Sequence, residues 1–199
     1  TREVFARMTW RDRRLVSVVQ AGLVEKFVDA LVWVAMPVYL FDRGQDLRSI
    51  GWIVGFFVLV WGGSQFVTGP LSDRIGRRIP NVGGMWLCGL GVALFPFGES
   101  VAWWSTTAAL SGFGMALLYP NLSASISDLA DPSWRGTAIG IYRFWRDLGY
   151  SAGALAIAAA ASVGPASAPF VAVGIAMVVS GAVLLWGCGE TLERKGGAR

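Results

Sequence analysis

The chain has 199 residues, of which 54% are hydrophobic and 15% charged, and it carries a formal net charge of +4. Its mean hydropathy of +0.54 is too high for a soluble domain, whose apolar residues must fit into one core. This composition excludes an ordinary soluble enzyme or binding domain and favours a protein embedded in lipid. The 26 glycines and 10 tryptophans agree, since membrane helices pack through glycine and place tryptophan at the bilayer surface.

The residue content gives little support for catalytic or metal chemistry. The chain contains no histidine, and its two cysteines, Cys88 and Cys188, have no partner at metal-ligand spacing. We therefore predict no metal site, no cofactor and no disulfide. An intramembrane hydrolase or transferase would need a nucleophile beside a base, and the serines near Asp128 lack that arrangement. The chain is predicted not to be an enzyme.

The first segment, residues 1–14, is basic and contains no apolar run. It begins with Thr1 instead of methionine and resembles neither a signal peptide nor a natural start, which indicates a piece of a longer chain. We predict a cytoplasmic linker here and a cytoplasmic tail at residues 190–199.

Six apolar stretches follow, each long enough to cross a bilayer core of about 30 Å as a helix. Short connectors with turn residues make consecutive helices antiparallel neighbours. The sequence therefore predicts an all-α membrane protein with a bundle of six transmembrane helices at residues 15–189. The spans are predicted at residues 15–41, 50–69, 79–97, 101–126, 136–162 and 166–187.

The distribution of basic residues predicts the orientation of this bundle. Twelve lysines and arginines fall on one side, and two, Arg43 and Arg48, fall on the other. Because basic residues collect on the cytoplasmic side, we expect both ends of a multi-pass protein of the bacterial inner membrane to be cytoplasmic. Topology and attraction to anionic membrane lipids account for the net charge without a nucleic-acid partner.

The first predicted span contains three charged residues, Glu25, Lys26 and Asp29. A charged side chain at the bilayer centre costs about 2.5 to 3.5 kcal/mol on insertion scales, so such residues mark functional sites. Lys26 and Asp29 are three residues apart and share one helix face, but Lys26 can fully neutralise only one of the two carboxylates. We predict that all three belong to a substrate or proton pathway.

The connection between the second and third spans has the sequence G-P-L-S-D-R-I-G-R-R at residues 69–78. Its glycines permit a sharp turn, and its arginines hold the loop on the cytoplasmic side. In the alternative interpretation, these arginines only keep the loop on the cytoplasmic side and have no further function. The residues that form the pattern are Gly69, Leu71, Asp73, Arg74, Gly76, Arg77 and Arg78.

This pattern, G-x-L-x-D-R-x-G-R-R, resembles the signature loop of the major facilitator superfamily. The resemblance implies twelve spans in two halves, each half made of two inverted three-helix repeats, so that six spans form one half. It also implies that Asp73 acts in a conformational latch with a basic residue and a helix N-terminus, for which the start of span five near Arg135 is the candidate. A resemblance of residues 189–191 to the acidic motif after the final span favours the C-terminal half, while the N-terminal half stays open.

Prolines mark corresponding places in the first and fourth spans, at Pro37 and Pro120. Those spans begin the two three-helix units, so corresponding helix breaks fit inverted repeats in which interrupted helices line the substrate path. Tyr119 and Asn121, on either side of the second proline, are the predicted polar contacts.

The fifth span contains a second charged group formed by Arg143, Arg146 and Asp147. A span without them would be too short, so these residues belong to the membrane helix. We predict an ion pair between Arg146 and Asp29 facing a wet cavity. In the alternative interpretation, the arginines reach the headgroups and the charges of the first span pair within their own helix.

Together these features predict secondary active transport of a small molecule, a drug or a metabolite, by alternating access. The ATP-binding pattern G-x-x-x-x-G-K-[ST] does not occur, so a gradient must supply the energy, and a proton carried by Glu25 or Asp29 is the expected coupling ion. The predicted partners are membrane lipids, the substrate, the proton and a missing N-terminal six-helix half. Efflux by antiport and import are both open. A transporter-like receptor or scaffold is the alternative function, and an intramembrane enzyme is the weaker one.

Overall fold

The computed structural model describes residues 1–192, which consist of helices and connecting turns. Residues 193–199 of the predicted tail lie outside this range. A short helix α1 (Arg2–Ala6) and a π-helical turn (Arg7–Arg11) precede the larger helices. These are α2 (Arg13–Ala30), α3 (Met36–Asp42), α4 (Leu47–Ile75), α5 (Arg78–Leu94), α6 (Val101–Leu129), α7 (Arg135–Val163) and α8 (Ala168–Gly187).

Six long helical segments result from these elements. A π-helical turn, Leu31–Ala35, joins α2 and α3 into one rod, and a 3-10 turn, Phe95–Phe97, extends α5. Four segments, namely α4, extended α5, α6 and α8, are long and apolar enough to cross a membrane. The other two, the α2–α3 rod and α7, are the ones that contain the predicted intramembrane charges. The all-α membrane fold is confirmed. All six predicted transmembrane segments are long enough to cross a membrane, and four of them are also apolar enough.

The helices pack as two units related by an inverted repeat. The first unit consists of the α2–α3 rod, α4 and α5, and the second consists of α6, α7 and α8. The first helix of each unit packs against the second and third helices of the other unit: α2 contacts α7 and α8, and α6 contacts α4 and α5. The third helices, α5 and α8, pack against each other. This pattern confirms the predicted repeat architecture and places α2, α4, α6 and α7 side by side.

The segment before the first span is helical and packed. Met8 is fully buried, and the ring of Phe5 stacks on that of Trp145 in α7 with their centroids 6.0 Å apart. The indole nitrogen of Trp145 also donates a hydrogen bond to Thr9 Oγ1 at 3.2 Å. The predicted linker is therefore attached to the fifth long segment.

Most of the signature loop is helical. Helix α4 continues to Ile75, six residues past the predicted end of the second span, and the chain reverses at Gly76. Gly76 has a φ of 101°, a conformation that residues with a Cβ rarely adopt. The turn between α4 and α5 is consequently very short, and it brings the basic end of the motif next to the start of α5.

The two prolines have different effects on their helices. Pro37 follows the π-helical turn, so the first rod contains the predicted irregularity. Pro120 lies inside α6, which is continuous. A proline cannot donate to the carbonyl four residues earlier, and here the hydroxyl of Thr68 in α4 donates to that carbonyl, Ala116 O, at 2.8 Å. The expected break in the fourth span is thus wrong, because a neighbouring helix supplies the missing hydrogen bond.

Glycines allow the closest helix contacts. A Cβ at Gly149 of α7 would collide with the carbonyl oxygen of Leu23 in α2, and one at Gly153 would lie 2.8 Å from the Cα of Phe27. In the other unit, a Cβ at Gly112 of α6 would lie 2.5 Å from the carbonyl oxygen of Phe57 in α4. These glycines are therefore packing positions, and the contact between α2 and α7 positions the charged residues.

Helices α4 and α7 each leave one face open. On α4 the glycines at 51, 55, 62 and 69 have open space beyond them, and on α7 those at 136 and 140 do as well. Only one side of each helix is buried against the described residues. Tyr119 of α6 contacts both Trp61 of α4 and Arg146 of α7, and we call the side of the bundle on which Tyr119 is exposed the open side.

Candidate functional site

Four charged side chains are buried together between α2 and α7. Glu25, Lys26 and Asp29 come from α2 and have exposed fractions of 0%, 2% and 1%. Arg146 reaches them from α7, and its side chain is 11% exposed. We call these four residues the charged cluster.

The cluster is held by a chain of ion pairs. Arg146 Nε donates to Glu25 Oε2 at 3.1 Å, and its Nη2 lies 3.5 Å from Oε1. Lys26 Nζ lies 3.6 Å from Glu25 Oε1 and donates a hydrogen bond to Asp29 Oδ2. The predicted pair between Arg146 and Asp29 is therefore replaced: Arg146 pairs with Glu25, one turn nearer the start of α2, and Asp29 pairs with Lys26 inside its own helix.

Asp29 differs from Glu25 in how its oxygens are satisfied. Tyr150 donates its hydroxyl to Asp29 Oδ2 at 3.1 Å. The other oxygen, Oδ1, is buried and has no hydrogen-bond partner among residues 1–192. A buried carboxylate oxygen without a donor is costly. Asp29 is thus the carboxylate of the cluster that keeps one oxygen without a donor.

Two tyrosines cover the cluster on its open side. The ring of Tyr119 in α6 lies 4.3 Å from the guanidinium carbon of Arg146 and 5.5 Å from Lys26 Nζ. The ring of Tyr150 in α7 lies 5.0 Å from Lys26 Nζ. Both cations therefore interact with aromatic rings as well as with carboxylates. The tyrosines are 38% and 41% exposed, so their outer surfaces face the open side of the bundle.

The position of the cluster along the helices is also informative. Glu25 is twelve residues after the start of α2, and Arg146 is eleven residues after the start of α7. At about 1.5 Å per residue, both lie about 17 Å from the N-terminal ends of their helices. Such a depth is near the middle of these helices, where charge is most costly unless it is paired or functional.

Some predicted pathway residues lie outside the cluster. Arg143 and Asp147 are exposed on α7 and form no ion pair with any residue in the described range. Asn121 is buried in α6, where its amide nitrogen donates to Leu117 O at 2.6 Å. Tyr119 is the predicted polar contact that does reach the charges.

Sequence reasoning did not identify three aromatic residues of the site. Tyr150 is four residues after Arg146 and so shares its helix face, a signal that the sequence contains. Tyr142, four residues before Arg146, is buried against Gly22, and its hydroxyl has no partner among the described residues. Trp61 of α4 contacts the ring of Tyr119 with centroids 5.6 Å apart, and nothing in its local sequence indicates that contact.

The signature motif forms a second polar network, where α4 ends and α5 begins. Asp73 Oδ1 lies 2.7 Å from Arg77 Nη1, and Arg77 Nε lies 3.4 Å from Asp128 Oδ2 at the end of α6. Arg77 also donates to Ser72 Oγ at 2.6 Å. We call this set, together with Glu190, the motif network. It links α4, α5, α6 and the chain after α8.

Arg135, the expected latch partner, does not contact Asp73 in this structure. Arg135 lies at the start of α7, and its guanidinium contacts Ala130 O at 3.5 Å, not Asp73. Asp73 instead pairs with Arg77, which follows directly after the chain reversal at Gly76. The other motif residues, Leu71, Arg74 and Gly69, lie along α4, where the first two are exposed.

Glu190 completes the motif network. Its carboxylate accepts hydrogen bonds from the backbone nitrogens of Arg77 at 2.7 Å and Arg78 at 3.2 Å, where α5 begins. Partial burial raises the pKa of Glu190, but these bonds and those from the backbone nitrogens of Leu192 and Thr191 outweigh it and lower the pKa overall. The residues after the last span therefore act as a cap on α5.

Replacement of Glu190 by glutamine is expected to destabilise the chain by about 1 kcal/mol at neutral pH, an amount limited by solvent screening at the surface. Because the pKa is lowered in the folded state, this stabilisation is present above the ordinary pKa of glutamate and is lost as the pH falls through the lowered value. Unfolding in detergent, measured from neutral to acidic pH, should show the two proteins converging on the acid side. Glu3→Gln, at an exposed surface pair with Arg11, is the control and should change little. A constant difference across the range would contradict the capping function.

The bundle and the buried charges define the class of the protein. Helices long enough to cross a membrane surround ion pairs at mid-depth, which is typical of a polytopic membrane protein with a polar intramembrane site. Within residues 1–192 no group of three or more metal-binding side chains lies close enough together to hold an ion. The chain belongs to the Major Facilitator Superfamily, whose family model matches residues 21–197.

Curated relatives are similar over parts of the chain. The 3-(3-hydroxy-phenyl)propionate transporter of Escherichia coli is 32% identical over 100 residues, which cover 48% of this chain and 24% of that protein. The puromycin resistance protein pur8 of Streptomyces alboniger is 30% identical over 129 residues, covering 64% and 26%. Multidrug resistance protein 1 of Bacillus subtilis is 28% identical over 100 residues, covering 48% and 26%. The match thus spans about a quarter of each relative.

Two solved structures are similar in fold. The peptide transporter POT in complex with alafosfalin has a TM-score of 0.78 at 19% identity, over 93% of this chain and 41% of that chain. The human organic anion transporter MFSD10 has a TM-score of 0.67 at 20% identity, over 90% and 48%. At this identity the likeness establishes the helical fold and not the substrate.

Proposed function

We propose that the chain is one six-helix half of a proton-coupled secondary transporter, and that it moves a small organic molecule by alternating access. The observation that carries this proposal is the charged cluster, in which two carboxylates and two cations cancel at mid-depth. Permanent burial of four charges in a purely structural bundle is costly compared with apolar packing. A transporter uses such a cluster because its net charge changes when a proton arrives.

The open faces of α4 and α7 support the half-transporter part of the proposal. The face of α4 is apolar and rich in glycine, and the face of α7 carries Gly140 with the exposed charges Arg143 and Asp147. Of the exposed tyrosines, Tyr119 contacts Trp61 of α4 and Tyr150 belongs to α7. A second six-helix unit packed there would enclose a cavity with the cluster in one wall. We propose that the present chain is the C-terminal unit and that the motif network faces the cytoplasm of a bacterial cell.

Asp29 is the proposed proton carrier. Glu25 is held by Arg146 through both oxygens, whereas Asp29 has one unsatisfied oxygen and one hydroxyl donor. A proton on Asp29 would weaken its bond to Lys26 and leave the cluster with one net positive charge. That change would link proton uptake to the binding of substrate and to the position of α2 against α7.

The motif network is the proposed conformational latch. It holds α4, α5, α6 and the chain after α8 together through Asp73, Arg77, Asp128 and Glu190. Breaking these pairs on one side of the membrane would free the helix ends to move. The network therefore stabilises one of the two access states. It acts at the end of the bundle where α4 and α6 end and α5 begins.

The names of the relatives support transport but do not agree on a substrate. One relative is named for a phenolic carboxylate, one for puromycin resistance and one for hexose phosphate transport. We propose an organic metabolite or drug as the substrate, and export and import are equally compatible with this site.

Asp29→Asn tests the coupling. In vesicles containing the complete transporter, which is this chain together with its second helical unit, the wild type should move a compound from a panel faster with an imposed proton gradient. The variant should lose this acceleration by at least about tenfold, because asparagine cannot carry the proton. Exchange of substrate across the membrane at equal concentration, which needs no net proton movement, should continue.

Glu99→Gln is the control, since Glu99 lies in an exposed surface pair with Arg43 outside α2, α4, α6 and α7. It should respond to the gradient as the wild type does. A full gradient response in Asp29→Asn would contradict the assignment of the coupling site. Binding of a compound without movement of any compound would contradict transport and favour a receptor.

A further inference from the structure

We propose that the open side of the charged cluster binds an aromatic monocarboxylate, with its carboxylate at Arg146 and its ring against Tyr119 and Tyr150. This inference rests on the proposed transport function and adds the chemical class of the substrate. Four independent features of the site lead to it: the sign of the accessible charge, unused donors, charge balance and exposed rings.

The accessible charge of the cluster is positive. The side chain of Arg146 is 11% exposed, whereas those of Glu25, Asp29 and Lys26 are 0%, 1% and 3% exposed. Among the four charged side chains, that of Arg146 is therefore the most accessible to a ligand on the open side. The nearest exposed charges, Arg143 and Asp147 on α7, have opposite signs and leave the positive character of the site unchanged.

Hydrogen-bond donors without acceptors surround the same ring. Arg146 uses Nε and Nη2 for Glu25, and its Nη1 donates to no residue in the range 1–192. The indole nitrogen of Trp61 is buried and has no acceptor there either. Both side chains contact the ring of Tyr119. A shift of that ring would open both donors to one ligand, and a carboxylate offers the acceptors they need.

Charge balance favours an anion over a cation. The empty cluster is neutral, because Glu25 and Asp29 cancel Lys26 and Arg146. An anion that arrives with a proton on Asp29 leaves the occupied site neutral, whereas a cationic substrate leaves one unpaired positive charge in a medium of low dielectric constant. The other ionisable groups around the cluster are three phenols and a thiol: Tyr119, Tyr142, Tyr150 and Cys88.

The exposed surfaces around Arg146 are aromatic. Tyr119 and Tyr150 present 38% and 41% of their surface on the open side, and they belong to different helices. A flat ring packs between or against such rings with an offset or edge-to-face arrangement. An aliphatic anion would leave these surfaces uncovered, so the combination of ring and carboxylate fits the site best.

The test compares three compounds that share a 4-hydroxyphenyl ring and differ in charge. These are 4-hydroxyphenylacetate, an anion, 4-hydroxyphenylacetamide, which is neutral, and tyramine, a cation. Gradient-driven movement is measured in vesicles containing the complete transporter, after subtraction of leakage into protein-free vesicles. We expect the carboxylate to move at least about tenfold faster than the amide or the amine, since a charge-assisted pair is lost in both.

A pair of variants connects this preference to the site. Arg146→Lys keeps the charge opposite Glu25 but removes the planar set of donors, so the KM for 4-hydroxyphenylacetate should rise about tenfold while gradient coupling persists. Arg11→Lys, at an exposed surface pair with Glu3 outside the bundle, should leave the KM unchanged. An unchanged KM in Arg146→Lys would overturn the assignment of the carboxylate to this arginine.

The outcomes separate the substrate class from the transport function. Movement of tyramine in preference to the carboxylate would overturn the inference and leave proton-coupled transport intact. Gradient-driven movement of an unrelated panel compound, with none of the three compounds bound, would do the same. A failure to move any compound would overturn both proposals.

Discussion

Glu25→Gln should abolish gradient-driven transport and destabilise the chain by about 3 to 5 kcal/mol. The substitution leaves the guanidinium of Arg146 buried between α2 and α7 without its counter-charge, and it removes one of the two neighbours of Lys26. A buried charge without a partner costs far more than the pair itself contributes. Unfolding in detergent and transport in vesicles measure the two effects.

The double variant Glu25→Gln with Arg146→Gln distinguishes a structural function from a mechanistic one. It removes both charges, so most of the lost stability should return, while transport should stay absent because the cluster can no longer change its charge balance. The surface pair of Arg43 and Glu99, 3.8 Å apart, provides the control, and Glu99→Gln should cost no more than about 1 kcal/mol. Normal transport in the double variant would show that the pair of Glu25 and Arg146 only stabilises the contact between α2 and α7.

Gly149→Ala should also remove most transport activity, although it changes no charge. A Cβ at this position would collide with the carbonyl oxygen of Leu23 and lie 3.0 Å from the Cβ of Lys26. Backbone cannot yield as a flexible side chain does, so α7 must move away from α2, at an expected cost of about 1 to 3 kcal/mol. The bond from Arg146 to Glu25 is three residues away on α7 and would lengthen with it.

Gly83→Ala on α5, which lies on neither open face, is the control, since nothing lies within 4 Å of a Cβ there in the described structure. It should fold and transport as the wild type does in the same vesicle measurement. Equal transport by Gly149→Ala and Gly83→Ala would mean that the close approach of α2 and α7 does not position the cluster. A selective loss in Gly149→Ala would confirm that close helix packing and intramembrane charge act as one unit.

The sequence alone was sufficient for the helical architecture. Long apolar stretches require backbone hydrogen bonds within each segment, so length and hydropathy determine the helices. The spacing of Glu25, Lys26 and Asp29 determined that they share one face of α2, and the depth of Arg146 along α7 followed from counting residues. The motif at residues 69–78 identified the family before any fold was known.

The partners across helices were decided by the tertiary structure. Glu25 and Asp29 lie one turn apart on the same face, and only the register between α2 and α7, set by Gly149 against Leu23, places Arg146 opposite Glu25. Asp73 pairs locally with Arg77, whereas Arg135 at the start of α7 contacts Ala130 O instead. The continuity of α6 through Pro120 likewise depends on Thr68 of another helix. Periodicity defines which face a residue occupies on its own helix, but the rotation and sliding of helices against each other come from packing of side chains distant in sequence, and those contacts choose the partners in the site.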